Sequence, residues 1–169
     1  MENNKFKGVD EYQYGFADKD TSVYKTKKGL TKETVLEISK IKGEPEWMRD
    51  FRVKAYEAFV KMENPSFGPD LRFLAYDEYT YYIKPADKSV KSWEEVPVEI
   101  KETFDKLGIP EAEQKYLGGV STQFESEVVY HNTLKELEEL GVLFCDTDTA
   151  VKLYPDIVKE YFAKIVPTT

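Results

Sequence analysis

The chain has 169 residues, of which 41% are hydrophobic and 14% aromatic, and its formal net charge is −8. That length suits one domain with a real core, and the aromatic content is too high for a disordered chain. The acidic balance disfavours nucleic acid as the main partner, because phosphate binding needs clustered Lys and Arg, and no apolar run reaches the roughly 18 residues of a membrane span.

The charge is uneven: between Glu94 and Leu140 there are twelve acids and four bases, so the remainder is balanced. Such a surface keeps a domain in solution, and it can also attract a basic partner. The first residues, MENNKFKGVDEYQYGF, lack the apolar core of a secretory leader and carry too many acids for a transit peptide. Cys145 is the single cysteine, which rules out an intrachain disulfide and fits a reducing compartment. The expectation is a soluble cytoplasmic protein, with no membrane and no nucleic acid among its partners.

The first twenty or so residues are polar and weakly periodic, which predicts an extended or mobile arm over 1–22. No repeat and no linker divides the rest, so 23–169 reads as a single α+β domain. Thr31 predicts an N-cap, followed by Val35, Ile38 and Ile41 at helical spacing and closed by Gly43. Pro45 suits the first position of a second helix, in which Trp47, Phe51, Ala55, Phe59 and Met62 form an apolar stripe. NPSFGPD ends it. DEYTYYIKP alternates like a strand, stopped by Pro85.

Ser92 and Glu95 have capping-box spacing, but Pro97 interrupts it, so a turn at Ser92 precedes a helix from about Pro97. Ile100, Phe104 and Leu107 face inward there, Gly108 caps it, and Pro110 opens a short helix through Leu117. The final third predicts strand–helix–strand–helix: TQFESEVVYH, a helix TLKELEEL capped by Asn132, a short buried strand VLFC, and a helix from Pro155 with Val158, Tyr161, Phe162 and Ile165. Asp146 or Thr147 caps the turn between the last two. The fold class is α+β, mainly helical over the first two-thirds with a few short strands.

Four residues carry candidate chemistry. Cys145, in VLFCDTDTA, reads as a small buried apolar residue at a strand end, or as a soft metal or sulfur ligand. One thiol cannot supply the four ligands that an iron–sulfur cluster normally takes. His131, the only histidine, sits at a strand-to-helix junction, with no nucleophile marked out beside it. Asp146 and Asp148 have the Asp-x-Asp spacing of a divalent-metal site, but helix capping explains them with fewer assumptions. Tyr76, Tyr79, Tyr81 and Tyr82 resemble a stacking platform, though core or interface packing fits the acidic chain better. No nucleophile, base and orienting group can be named together, so an enzyme is not expected, and no catalytic or cofactor-binding residue is assigned.

Several stretches together resemble one family. YGFADKDTSVYKTKKGLTKE, GEPEWMRDFRVKAYEAF, DEYTYYIKP, SWEEVPVEIKETFDKLGIPEAEQKYLGGVSTQFESEVVYHN and GVLFCDTDTAV look like consecutive blocks of the N-terminal region of the SufB family, iron–sulfur cluster assembly scaffolds of the SUF system. The pairing of GEPEWM with KLGIPEAEQKYL is the specific part. The resemblance implies a right-handed parallel β-helix after this region, and it ties cluster and sulfur handling to that β-helix and the helices beyond it. Contacts with SufC, and with SufD or a second SufB, are implied through the same segments. KIVPTT lies about where the β-helix is expected to begin, so no cluster ligand carries over to a position here. The expected role is a non-catalytic domain that positions the scaffold or docks a cysteine desulfurase or sulfur-transfer protein, with no cofactor of its own. The alternative is a small metal- or sulfur-binding protein using Cys145 and His131.

Overall fold

The computed structural model describes residues 22–86, 89–108 and 117–167. It opens with a short antiparallel ribbon, in which β1 (Tyr24–Lys25) pairs with β2 (Ile83–Lys84). The pairing continues past both strands: Thr26 N–H donates to the Tyr82 carbonyl at 3.1 Å, and Gly29 N–H to that of Tyr79 at 2.9 Å. Between the two halves of this ribbon the chain makes a helical hairpin, α1 (Lys32–Lys42) and α2 (Glu46–Phe59).

Local chemistry explains both ends of α1. The Thr31 hydroxyl accepts from Thr34 N–H, meeting one of the amides that a helix start leaves without a partner. Gly43, at φ 61° and ψ 41°, takes the left-handed turn, and Glu44 N–H donates to the Ser39 carbonyl at 3.1 Å. The chain reverses within three residues. A part-buried ion pair then fastens the hairpin: the Arg52 guanidinium forks onto the Glu44 carboxylate, with Nε to Oε2 at 2.7 Å and a second nitrogen to Oε1 at 2.6 Å.

The second half is built on a hairpin of β3 (Gly119–Phe124) and β4 (Glu127–Thr133), with a register shift between Thr122 and Gln123. α3 (Val98–Lys106) lies against it. Val96, Ile100, Val129 and Tyr130 form the buried cluster, with Trp93 edge-on to both Phe104 and Tyr130 at 5.8 and 5.5 Å. Three short helices follow: α4 (Lys135–Glu139), α5 (Thr147–Leu153) and α6 (Pro155–Tyr161). The Asp146 carboxylate caps α5 by accepting from Thr149 N–H at 2.8 Å, and Pro155 opens α6. The end of the described chain returns to α2: Phe162 packs edge-on to Phe51 at 5.1 Å, and the Lys159 ammonium sits over the Trp47 ring at 5.5 Å.

The α+β class stands, with six helices and two small antiparallel sheets among the described residues. Several elements differ from expectation. Only Ile83–Lys84 of DEYTYYIKP is strand, because Tyr76–Glu78 closes a tight 3-10 turn and Thr80 makes a lone bridge to Lys28. TQFESEVVYH is two strands rather than one, turning at Glu125, a non-glycine residue at φ 53°. Asn132 is inside β4 and caps nothing; α4 begins after Leu134. VLFC is not a strand: it follows the left-handed turn at Gly141 without pairing to a described strand, and Leu143 and Phe144 are half exposed. The C-terminal order is therefore hairpin followed by three helices. Pro45 precedes α2 as its cap rather than opening it, and Met62 and Ile165 lie beyond their helices, exposed. Residues 1–21 lie outside the described residues, as do 110–116 of the helix predicted from Pro110 through Leu117.

Ile100 is 4% exposed at the centre of the apolar cluster, so Ile100→Ala is expected to cost about 2–5 kcal/mol. Met62→Ala, at a position left in solvent, should stay within about 0.5 kcal/mol. Urea denaturation followed by circular dichroism reads both.

Candidate functional site

Two clefts lie side by side, the first where the two halves of the chain meet, and they share Ser89, Asp146 and Thr149 as a common wall. The first, of about 250 Å³, is polar and is organised around Lys42 at the end of α1. Its ammonium bonds the Glu127 carboxylate on β4 at 3.1 Å and the Asp148 carboxylate on α5. Tyr82, just before β2, donates its hydroxyl to the same Glu127 oxygen at 2.5 Å. The Lys42 side chain is only 11% exposed, and its ammonium lies 5.5 Å from the centre of the Tyr82 ring. Burial pulls the lysine pKa down, but the hydrogen bonds and charges of Asp148 and Glu127 outweigh it and hold the group above its ordinary value. Burial and the Glu127 hydrogen bond push the Tyr82 phenol far up.

The second cleft, of about 420 Å³, brings Cys145 and His131 to one surface. The His131 ring lies against Phe144, with centres 5.2 Å apart, and its Nε2 is 3.4 Å from the Thr133 hydroxyl. Its Nδ1 is buried with no hydrogen-bond partner among the described residues. Phe144 also presses on the start of β3: a Cβ on Gly119 would lie 2.7 Å from the ring's Cδ1. Burial, and then the neighbouring Asp146 charge, push the Cys145 thiol up. A thiol so placed stays protonated near neutrality, and the thiolate is the form that attacks or ligates.

The two residues of the predicted Asp-x-Asp pair both line the first cleft but take different partners. Asp146 faces Thr149, accepting from both its backbone amide and its hydroxyl. Although burial raises it, these bonds hold its carboxyl below the usual range. Asp148 instead turns to Lys42. Among the described residues, no group of three or more His, Cys, Asp or Glu is placed to hold a metal ion. The tyrosines also separate: Tyr82 is buried in the ionic cluster, while Tyr76 and Tyr79 are largely exposed. Tyr81 donates to the Tyr76 carbonyl at 2.9 Å. Lys42 and Glu127 had no signal in the sequence, since residues 85 apart meet through no recognisable spacing. No described helix is long and apolar enough to cross a membrane.

Comparison with known proteins gives one consistent answer. The chain is 58% identical over 165 residues to the iron–sulfur cluster assembly protein SufB of Bacillus subtilis, a match that spans 98% of this chain and 36% of the relative. This chain corresponds to the N-terminal region of the SufB/SufBD family. It is also 59% identical over 159 residues to an iron–sulfur cluster assembly SufBD family protein of Staphylococcus haemolyticus, and 57% to one of Staphylococcus aureus, in each case over 94% of this chain and 34% of the relative. The chain thus spans about a third of the length of these SufB-type relatives. No protein-family model and no solved structure matches it.

Lys42 and Tyr82 both hold their protons more tightly in the folded chain than in the unfolded one. Their stabilisation is therefore complete below about pH 10 and is lost as the pH rises beyond it. Lys42→Met leaves two carboxylates without their cation, and is expected to cost roughly 1–3 kcal/mol at pH 7. The gap between variant and parent should close above about pH 10.5, as followed by urea midpoints across pH. Ellman titration should find Cys145 slow in the folded chain at pH 7 and fast in urea.

Proposed function

We propose that this chain is a non-catalytic accessory region of a SufB-type iron–sulfur assembly scaffold, which positions the scaffold or docks its sulfur-donating partners. The observation that carries this reading is the match to proteins named for iron–sulfur cluster assembly along nearly the whole chain. Two features support it. The thiol of Cys145 is held in its protonated form, which suits packing better than sulfur transfer. The acidic residues of the Glu94–Leu140 stretch stand out on α3, α4 and the turn before α3, where Glu95, Glu99, Glu136, Glu138 and Glu139 are exposed. A basic face on a cysteine desulfurase or sulfur-transfer protein would be steered to such a surface. SufC, and SufD or a second SufB, belong in this reading to the parts of the scaffold beyond the matched third.

A second reading rests on the placement of Cys145 and His131 in one cleft: a small site for a soft metal or for sulfur. Anaerobic reconstitution with iron and sulfide separates the two. The accessory reading expects no stoichiometric iron and no visible chromophore, with Cys145→Ser indistinguishable from the parent. A brown species that disappears in Cys145→Ser would replace it with the second reading. Docking has its own test, in which the matched region is deleted from intact B. subtilis SufB and association with its desulfurase is measured. Unchanged association would sink the docking role.

A further inference from the structure

The cleft that holds Cys145 has an apolar lip. Val142, Leu143, Phe144 and Leu153 all line it, and they are 45%, 52%, 43% and 64% exposed. Beyond α6, Ile165 and Val166 are exposed at 92% and 79%. This is dense apolar exposure on a chain whose buried cluster is small, and soluble monomers rarely leave contiguous apolar surface of any size uncovered. Permanent interfaces, by contrast, resemble a domain core cut in half.

The cleft and its lip hold two features of an interior. His131 Nδ1 is buried yet has no hydrogen-bond partner among the described residues, and a buried polar group of that kind normally finds one. The chain from Val142 to Cys145 pairs with no described strand along a line of large apolar side chains. Both are explained if something further packs against them.

We infer that this face is an internal interface of SufB-type proteins, covered by the C-terminal two-thirds of the family's chain. The occupant follows from coverage: the match takes in 98% of this chain and only 36% of B. subtilis SufB, leaving a body about twice as large for the N-terminal region to join. These exposed apolar side chains lie between α4 and residue 167, in the elements nearest in sequence to that body. Charge agrees with this occupant rather than a second copy. The exposed acids of α4 flank the lip, and two copies meeting face to face would bring like charges together. The inference rests on the family assignment and not on the desulfurase-docking role, so either can fail alone.

Hydroxyl-radical footprinting of intact B. subtilis SufB and of this 169-residue chain tests it, because side-chain oxidation reads solvent access directly. Side chains at the positions aligned with Leu143, Leu153 and Ile165 should oxidise several-fold more slowly, relative to their intrinsic reactivity, in the intact protein. Those aligned with Met62 and Phe67, exposed on the far half of the chain, serve as the reference. Equal rates at the three positions in both proteins would overturn the inference. Protection that develops in the 169-residue chain itself as its concentration rises would also overturn it, and assign the face to a second copy.

Discussion

A lysine ammonium taken out of water must find anions, and here that requirement draws four distant segments to one point. Lys42 ends α1, Tyr82 precedes β2, Glu127 opens β4 and Asp148 stands in the first turn of α5. None of these groups is satisfied unless the others are in place: Glu127 takes both the ammonium and the phenol, and Asp148 takes what remains of the cation. Removing water from such a cluster is costly, and only good geometry offsets that cost. The cluster therefore does more to specify how the halves meet than to add net stability. Backbone bonds beside it serve the same end, as Ser126 N–H donates to the Ile83 carbonyl and Ile83 N–H to the Ser126 hydroxyl, joining hairpin turn to ribbon.

What could be read from the sequence was what residues decide alone or with near neighbours. Thr31, Gly43, Asp146 and Pro155 each act within four residues of themselves, and each stands where expected or within one position of it. The family resemblance was legible too, because GEPEWM and KLGIPEAEQKYL are fixed words rather than periodicities. Turn chemistry hid the hairpin: Glu125 takes a positive φ without glycine or asparagine to announce it. VLFC has the composition of a buried strand, but it pairs with no described strand and its apolar side chains are half exposed. The Lys42 cluster was invisible for the opposite reason. Each member looked ordinary in its own segment, Lys42 most of all as a basic residue in a helix's last turn.

The candidate residues show how position in the fold changes what a side chain can do. Asp146 and Asp148, two apart on paper, take different partners, so one stabilises a helix start and the other neutralises a lysine. Cys145 and His131, fourteen apart, come to one surface, but burial, and then the carboxylate beside it, favours the protonated thiol. The chemistry of this region is thus that of charges already spent on one another.

Phe144 occupies an unusual junction, resting on His131 on one side and on the bare Cα of Gly119 on the other. Gly119 is the first residue of a β-strand, where most side chains are ordinarily accepted. Its freedom is instead set by an aromatic ring some twenty-five residues later in the chain. Any methyl group there would have to dislodge the ring, and with it one wall of the thiol cleft. The evolutionary record of this strand should accordingly be stricter at its first residue than at its centre, an inversion of the pattern that strand ends normally follow.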